Sequence, residues 1–129
     1  MPKFGRTSKK NLSEAHADLQ KLFKEVVKVF DCSVIEGHRG EKEQNRMHYA
    51  GKSQLEYPKS RHNLVPSMAV DVCPYPIDWN DRERFSYFAG YVRGVAAGMG
   101  IDIRWGGDWD SDGEVKDNSF DDLPHFELC

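Results

Sequence analysis

A carboxylate stands inside an apolar, β-branched run: in "MAVDVCPY", residues 68–75, Asp71 lies between Val70 and Val72. The alternation, the branching and the closing prolines make this run a strand. A carboxylate held there is costly unless it is paired, hydrogen-bonded or bound to a metal. Side chains two apart in a strand share a face, so Asp71 points with Ala69 and Cys73. The fold must therefore bring a polar partner to the middle of a sheet. His62 lies nine positions earlier, in the loop feeding the strand. His125 opens a second strand, "HFEL", with Asp122 three residues before it. If the two strands are neighbours, His62, Asp71 and His125 converge. Two imidazoles and one carboxylate form a ligand set for catalytic zinc that leaves the fourth position open, and Asp122 just outside it has the place of a general base. Spacing alone leaves the plainer reading open, in which each histidine is a hydrogen-bonded or surface residue.

The other segments give an α+β chain. "LSEAHADLQKLFKEVVKVF" has a 3.6-residue apolar period through Leu19, Leu22, Phe23, Val26 and Phe30, which predicts one amphipathic helix over residues 12–30. "CSVIE" reads as a short strand. "EKEQNRMHYAGK" reads as a short helix stopped near Gly51. "KSQLEYPKSRHNLVPS" is a polar loop punctuated by proline. "NDRERFSYFAGYVRGVAAGMG" predicts a helix capped by Asn80 or Asp81, with Phe85, Phe88, Val92, Val95 and Met99 as its apolar face. "IDIRW" and "HFEL" are short strands separated by an acidic loop. Helices and strands mix without βαβ regularity, so the expected class is α+β.

A length of 129 residues fits one domain able to bury a core without staples. The net charge of -3 argues against nonspecific nucleic-acid binding, and the basic "KFGRTSKK" reads as a solvated arm. No apolar run approaches the roughly 20 residues of a membrane span, and no secretory signal is visible. Three scattered cysteines, Cys32, Cys73 and Cys129, read as reduced thiols of a cytoplasmic protein.

Ser60-Arg61-His62, Ala69-Val70-Asp71 and Asp122-Leu123-Pro124-His125-Phe126-Glu127-Leu128 follow one another in a recognisable order. With "EGHRGEKEQNRMHYAGKS", "CPYPIDWND" and "RWGGDWD", they make the chain resemble the bacteriophage L-alanyl-D-glutamate endopeptidases, the endolysins of the zinc D-Ala-D-Ala peptidase (hedgehog-like) superfamily. The likeness runs from about residue 4 to the end. One departure is the stretch between His62 and Asp71, eight residues here where many members have six. A longer loop still presents His62, because loop length costs little.

The resemblance implies a small, mainly antiparallel sheet with flanking helices. It implies zinc held by His62, Asp71 and His125, Asp122 as general base, and Arg39 steadying the oxyanion or a substrate carboxylate. The implied reaction is cleavage of the L-Ala–D-Glu bond of the peptidoglycan stem peptide for host lysis. A D-Ala-D-Ala carboxypeptidase or dipeptidase is the alternative within the class, and a catalytically silent, zinc-stabilised binding module the alternative outside it. The expected organisation is a monomer of one domain, without a separate wall-binding domain. Made in the host cytoplasm, it would reach periplasmic peptidoglycan through a membrane hole formed by another protein, a holin.

Ser60 is a candidate for substrate contact or for shaping the loop, and Gln44, on the second helix, for reaching substrate. Glu127 shares His125's face and reads either as a partner orienting that histidine or as a surface carboxylate. Cys73 reads as a small buried thiol rather than a ligand. Asp121 reads as solvated, His16, His38 and His48 as surface residues without matched partners, and Trp105 and Trp109 as packing beneath the site. In "DWDSDGEVKDNS", Asp108, Asp110 and Asp112 fall at positions 1, 3 and 5 of a calcium loop and Gly113 at position 6. Position 12 is Ser119 instead of the usual glutamate, with Asp117 or Asp121 as substitutes, and calcium is expected as an activator.

Overall fold

The computed structural model describes residues 1–114, 116 and 121–129. Its elements are α1 (Arg6–Ser13), α2 (Ala17–Val29), β1 (Cys32–Glu36), α3 (Glu41–Tyr49), a single 3-10 turn (Arg61–Asn63), β2 (Ala69–Pro74), α4 (Arg82–Met99), β3 (Ile103–Trp105) and β4 (His125–Leu128). The strands form one antiparallel sheet in the order β1-β2-β4-β3. This is the expected α+β class.

The single helix expected over residues 12–30 is two helices. The break follows from long-range bonding: the Ser67 carbonyl accepts from the His16 amide at 2.8 Å, and the Ser67 amide donates to Glu14 at 2.9 Å. That exchange takes the backbone out of helical pairing. His16 then caps α2, its Nδ1 accepting from the Asp18 amide at 3.0 Å, so it has a partner after all. The basic stretch is not a solvated arm either. It forms α1, which buries Ser8 and Leu12. Ser8 Oγ accepts from the Val34 amide, and Asn11 Nδ2 donates to the Val34 carbonyl. Together they occupy backbone groups on the outer edge of β1, where an open strand invites unwanted pairing.

Val34, Val70, Val72, Phe126 and Leu128 turn one face of the sheet toward Leu19, Leu22, Phe23 and Val26 of α2 and Phe88, Ala89 and Val92 of α4. Phe126 sits between Phe23 and Phe88, with ring centroids 5.5 Å and 6.1 Å away. On α4, Phe85, Phe88 and Val92 are buried as expected, together with Ala89 and Ala96, while Met99 is 38% exposed. Asp81 provides the cap, and Gly100 ends the helix at a positive φ of 71°. Truncating Phe88 to Ala removes a ring that also packs on Phe30 at 5.0 Å. Urea denaturation of Phe88→Ala is expected to show a loss of about 3–5 kcal/mol.

Candidate active site

The opposite face of the sheet carries the polar residues. β2 and β4 are direct neighbours, and Asp71 lies across from His125 in register. His62 arrives from the 3-10 turn, which Ser60 caps: its Oγ accepts from the His62 amide, while its own amide donates to Asn63 Oδ1. The eight-residue stretch is accommodated by bulging outward, with Val65 84% exposed, while Met68 returns an amide to Arg61. All three expected ligands are thus brought together, and all are buried.

Their tautomers follow from their outer partners. His62 Nδ1 lies 2.7 Å from the Gly37 carbonyl, so it carries the proton and Nε2 presents its lone pair. His125 Nε2 lies 2.8 Å from Glu127 Oε1, which leaves Nδ1 facing inward. These inner nitrogens stand 3.1 Å and 3.4 Å from Asp71 Oδ1. Lone pairs aimed at a carboxylate repel it unless a cation lies between them. Among the described residues, His125 Nδ1 is the one buried side-chain polar atom with no hydrogen-bond partner. Zn–N bonds of about 2.0–2.1 Å in a tetrahedron place neighbouring ligand atoms roughly 3.3 Å apart, close to these separations. The donor set and its spacing therefore fit a zinc ion.

The field at this spot favours positive charge. Where protons take the place of a cation between these groups, burial pushes the Asp71 carboxyl up, but the pull of the adjoining His62 and His125 rings outweighs it and holds Asp71 well below the usual carboxylate range. Burial works against the charged form of His125, yet the carboxylates of Asp71 and Glu127 beside its two ring nitrogens raise it to about 9. Asp122 behaves oppositely: burial, then the neighbouring Asp71 charge, push it up to about 6. Asp122 Oδ2 lies 3.8 Å from His125 Nδ1, outside the cluster but beside it. Cys73 is raised to about 12 by burial and then by Asp71, so it remains a thiol.

Asp122 and His125 are held by a close backbone approach. Gly106 donates to the His125 carbonyl and accepts from the Asp122 amide, both at 2.8 Å. A Cβ on Gly106 would lie 2.0 Å from the Asp122 carbonyl oxygen, so this position takes no side chain without moving the turn.

Arg39 is buried at 5% exposure rather than lying on the surface. It donates from Nε and Nη2 to Glu36, from Nη1 to Gln44 and from Nη2 to Asp71. With four of five donors engaged, one N–H on Nη1 remains for a substrate oxygen. Gln44 corrects an expectation. It is fully buried, its Oε1 accepts from Arg39 and Asn63, and its Nε2 donates to Ser53 and Leu55. It positions Arg39 and the 53–55 loop and offers no surface to a substrate.

Glu127 is buried, as a partner of His125 and not as a surface carboxylate; it also accepts from Arg61 at 3.0 Å. Glu127→Gln, which weakens this orienting bond, is expected to cost about 10–100-fold in zinc affinity or activity. Zinc titration against a chromophoric chelator measures it. Trp109 lines the cavity, its ring 5.3 Å from that of His125, whereas Trp105 does pack beneath, donating to the Leu123 carbonyl. Asp121 is paired with Arg82, and His48 with Glu56 at 3.3 Å; His38 is exposed as expected. Asn63 and Gly37 were not singled out in the sequence, because they act through contacts more than twenty residues distant, and Glu36 acts through Arg39 three residues on.

The histidines, Asp122, Arg39 and Ser60 open onto one cavity of about 470 Å³. Asp108, Asp110 and Asp112 form a second cluster away from it, carboxylate oxygens within 4.8 Å of one another. Asp108 is buried and ion-paired with Arg93 at 3.0 Å. Asp117 and Ser119 lie outside the described residues. No helix among the described residues is long and apolar enough to cross a membrane.

Known proteins resemble this chain over nearly its whole length. The L-alanyl-D-glutamate peptidase of Escherichia phage T5 is 32% identical over 136 aligned positions, covering 98% of this chain and 97% of that protein. The crystal structure of the Serratia marcescens L-Ala D-Glu endopeptidase ChiX superposes with a TM-score of 0.76 at 31% identity, covering 98% of this chain and 90% of that one. The model of the phage L-alanyl-D-glutamate peptidase family matches residues 1–129, and the chain belongs to that family.

Proposed function

We propose that this protein is a zinc-dependent endopeptidase that hydrolyses the L-Ala–D-Glu amide bond of peptidoglycan stem peptides during host-cell lysis. One observation carries the reading. Two buried imidazoles, each fixed from behind by an acceptor, present lone pairs to one carboxylate oxygen at the floor of an open cavity. A structural site is closed, whereas this one has room for substrate. Zinc held by His62, Asp71 and His125 supplies a Lewis acid that polarises the scissile carbonyl and acidifies water.

The protein's own groups do the rest. Asp122, poised near neutrality, takes the proton from the attacking water and returns it to the leaving amine. The remaining Nη1 donor of Arg39 is fixed by Glu36 and Gln44 and meets the oxygen that gains charge. Ser60 holds His62 in place through the cap and lines the substrate cavity.

The protein works as a monomeric single domain, made in the host cytoplasm and admitted to the periplasm through a membrane hole formed by a holin. Mass spectrometry of purified sacculi after digestion tests the reaction. Stem peptides freed at the L-Ala–D-Glu bond are expected. Loss of terminal D-Ala alone would make the enzyme a carboxypeptidase, and unchanged sacculi would make it a binding module.

The Asp108, Asp110 and Asp112 cluster is assigned to calcium, which suits clustered carboxylate oxygens. Arg93 already neutralises part of its charge, so binding is expected to be modest. The loop runs on to Asp122, and an ordered loop favours the competent placement of that base. Calorimetry on zinc-loaded protein is expected to show saturable calcium binding that Asp110→Ala/Asp112→Ala abolishes, with lysis rising alongside. No heat at millimolar calcium would remove calcium from the mechanism.

A further inference from the structure

The active-site cavity has a wall richer in positive charge than catalysis requires. Besides Arg39, which Glu36 and Asp71 balance, Lys59, Arg61 and Arg104 line it. Their one close anion is Glu127, already bonded to His125. Arg61 commits Nε to Glu127 at 3.0 Å, and its two terminal nitrogens make no hydrogen bond among the described residues. Arg104 lies beside Glu127 in the β3–β4 register, but its nearest nitrogen is 3.9 Å away, too far for a hydrogen bond. Its side chain is 42% exposed, with no hydrogen bond to any described residue. Lys59 makes no ion pair among the described residues. Convergent cations on a concave wall focus the field and select for an anion. Arg61 and Arg104 stand on the side of His125 marked by Glu127, and Lys59 lines the same cavity, the space a bound peptide must occupy.

The chemistry of the leaving fragment supplies that anion. A glutamate whose amine is acylated keeps two carboxyl groups, and continuation of the peptide uses at most one. A free carboxylate therefore remains on the leaving side of the scissile bond, a few bonds from its nitrogen. We infer that Arg104, with Arg61 and Lys59, forms a clamp for this carboxylate and so sets the preference for an acidic residue after the cut. The inference rests on the endopeptidase reading and deepens it. A guanidinium fork matches a carboxylate through two parallel N–H bonds, and Arg104 has the fork free for it. Arg61 is the less clean probe, because changing it also disturbs Glu127 and His125.

The test uses two soluble peptides with the same L-Ala–D-Glu bond, one with the free carboxylate and one with that carboxylate amidated. Zinc-loaded wild-type protein is expected to cleave the acid peptide with kcat/KM about 10–100-fold higher, the range for hydrogen bonds to a charged group. The difference is expected mainly in KM. In Arg104→Gln the ratio is expected to fall most of the way to one, through a raised KM for the acid peptide, while Arg104→Lys keeps part of it. Lys59→Gln is expected to lower the ratio less. Equal kcat/KM for both peptides in the wild type would overturn the clamp and leave the endopeptidase reading intact. An equal loss on both peptides in Arg104→Gln would also overturn it, since a structural role acts on both alike. Cleavage of neither peptide by the wild type would overturn the endopeptidase reading itself, and the clamp with it.

Discussion

Asp122→Asn protein is expected to keep the zinc proposed for the wild type and to turn over about 10²–10⁴-fold more slowly, the range for losing a general base. The carboxylate stands 3.8 Å from the inner nitrogen of His125, while the three ligand atoms are grouped without it. The amide is nearly isosteric, so the turn held against Gly106 keeps its shape. What disappears is a proton acceptor that burial and Asp71 have tuned to about 6, close to the operating range of a base at neutral pH. Zinc content by elemental analysis and kcat on a soluble peptide read the two halves separately. A folded variant that lost its zinc would make Asp122 a ligand and cancel its assignment as base.

Removing a ligand is expected to have the larger effect. His62→Ala should reduce bound zinc from one per chain to near zero and abolish lysis. A chelator acting on wild-type protein should do the same, reversibly on adding zinc back. The variant should also be less stable, because Asp71 keeps its buried place and loses a partner 3.1 Å away. Leaving a buried polar group short of a partner costs about 1–3 kcal/mol, partly offset here by the Arg39 contact at 3.4 Å. Thermal melts of the chelated wild type and of His62→Ala separate loss of the metal from loss of the imidazole. Full lytic activity in metal-free wild-type protein would sink the zinc mechanism.

The convergence of His62, Asp71 and His125 was legible because a strand tolerates a buried aspartate only for a reason, and that reason had to be nearby. Periodicity located β2, α4 and β4, and the resemblance ordered the motifs around them. What supports the ligands was not legible. Glu127 could be read equally as surface or as support, since nothing local says that His125 will turn Nε2 toward it. Gln44 looked available because a glutamine on a polar helix usually is. Its burial comes from Arg39, Asn63 and the 53–55 loop closing over it, contacts spanning up to 19 residues. The break between α1 and α2 was hidden for the same reason, since Ser67 lies far along the chain from Glu14 and His16. Apolar period reports which face a helix buries, not where a distant carbonyl interrupts it.

The sheet order has a kinetic consequence. β4 follows every other strand in sequence yet lies inside the sheet, and β3 is attached only through β4. Within the sheet, the β1–β2 pair and β3 are therefore joined only through β4. The β2–β4 pairing is a long-range contact of the kind that slows folding. It delivers Phe126 to one face and His125 to the other in a single movement. A core completed by Phe126 already has His125 in place, so the polar cluster and the folded domain are completed by the same strand.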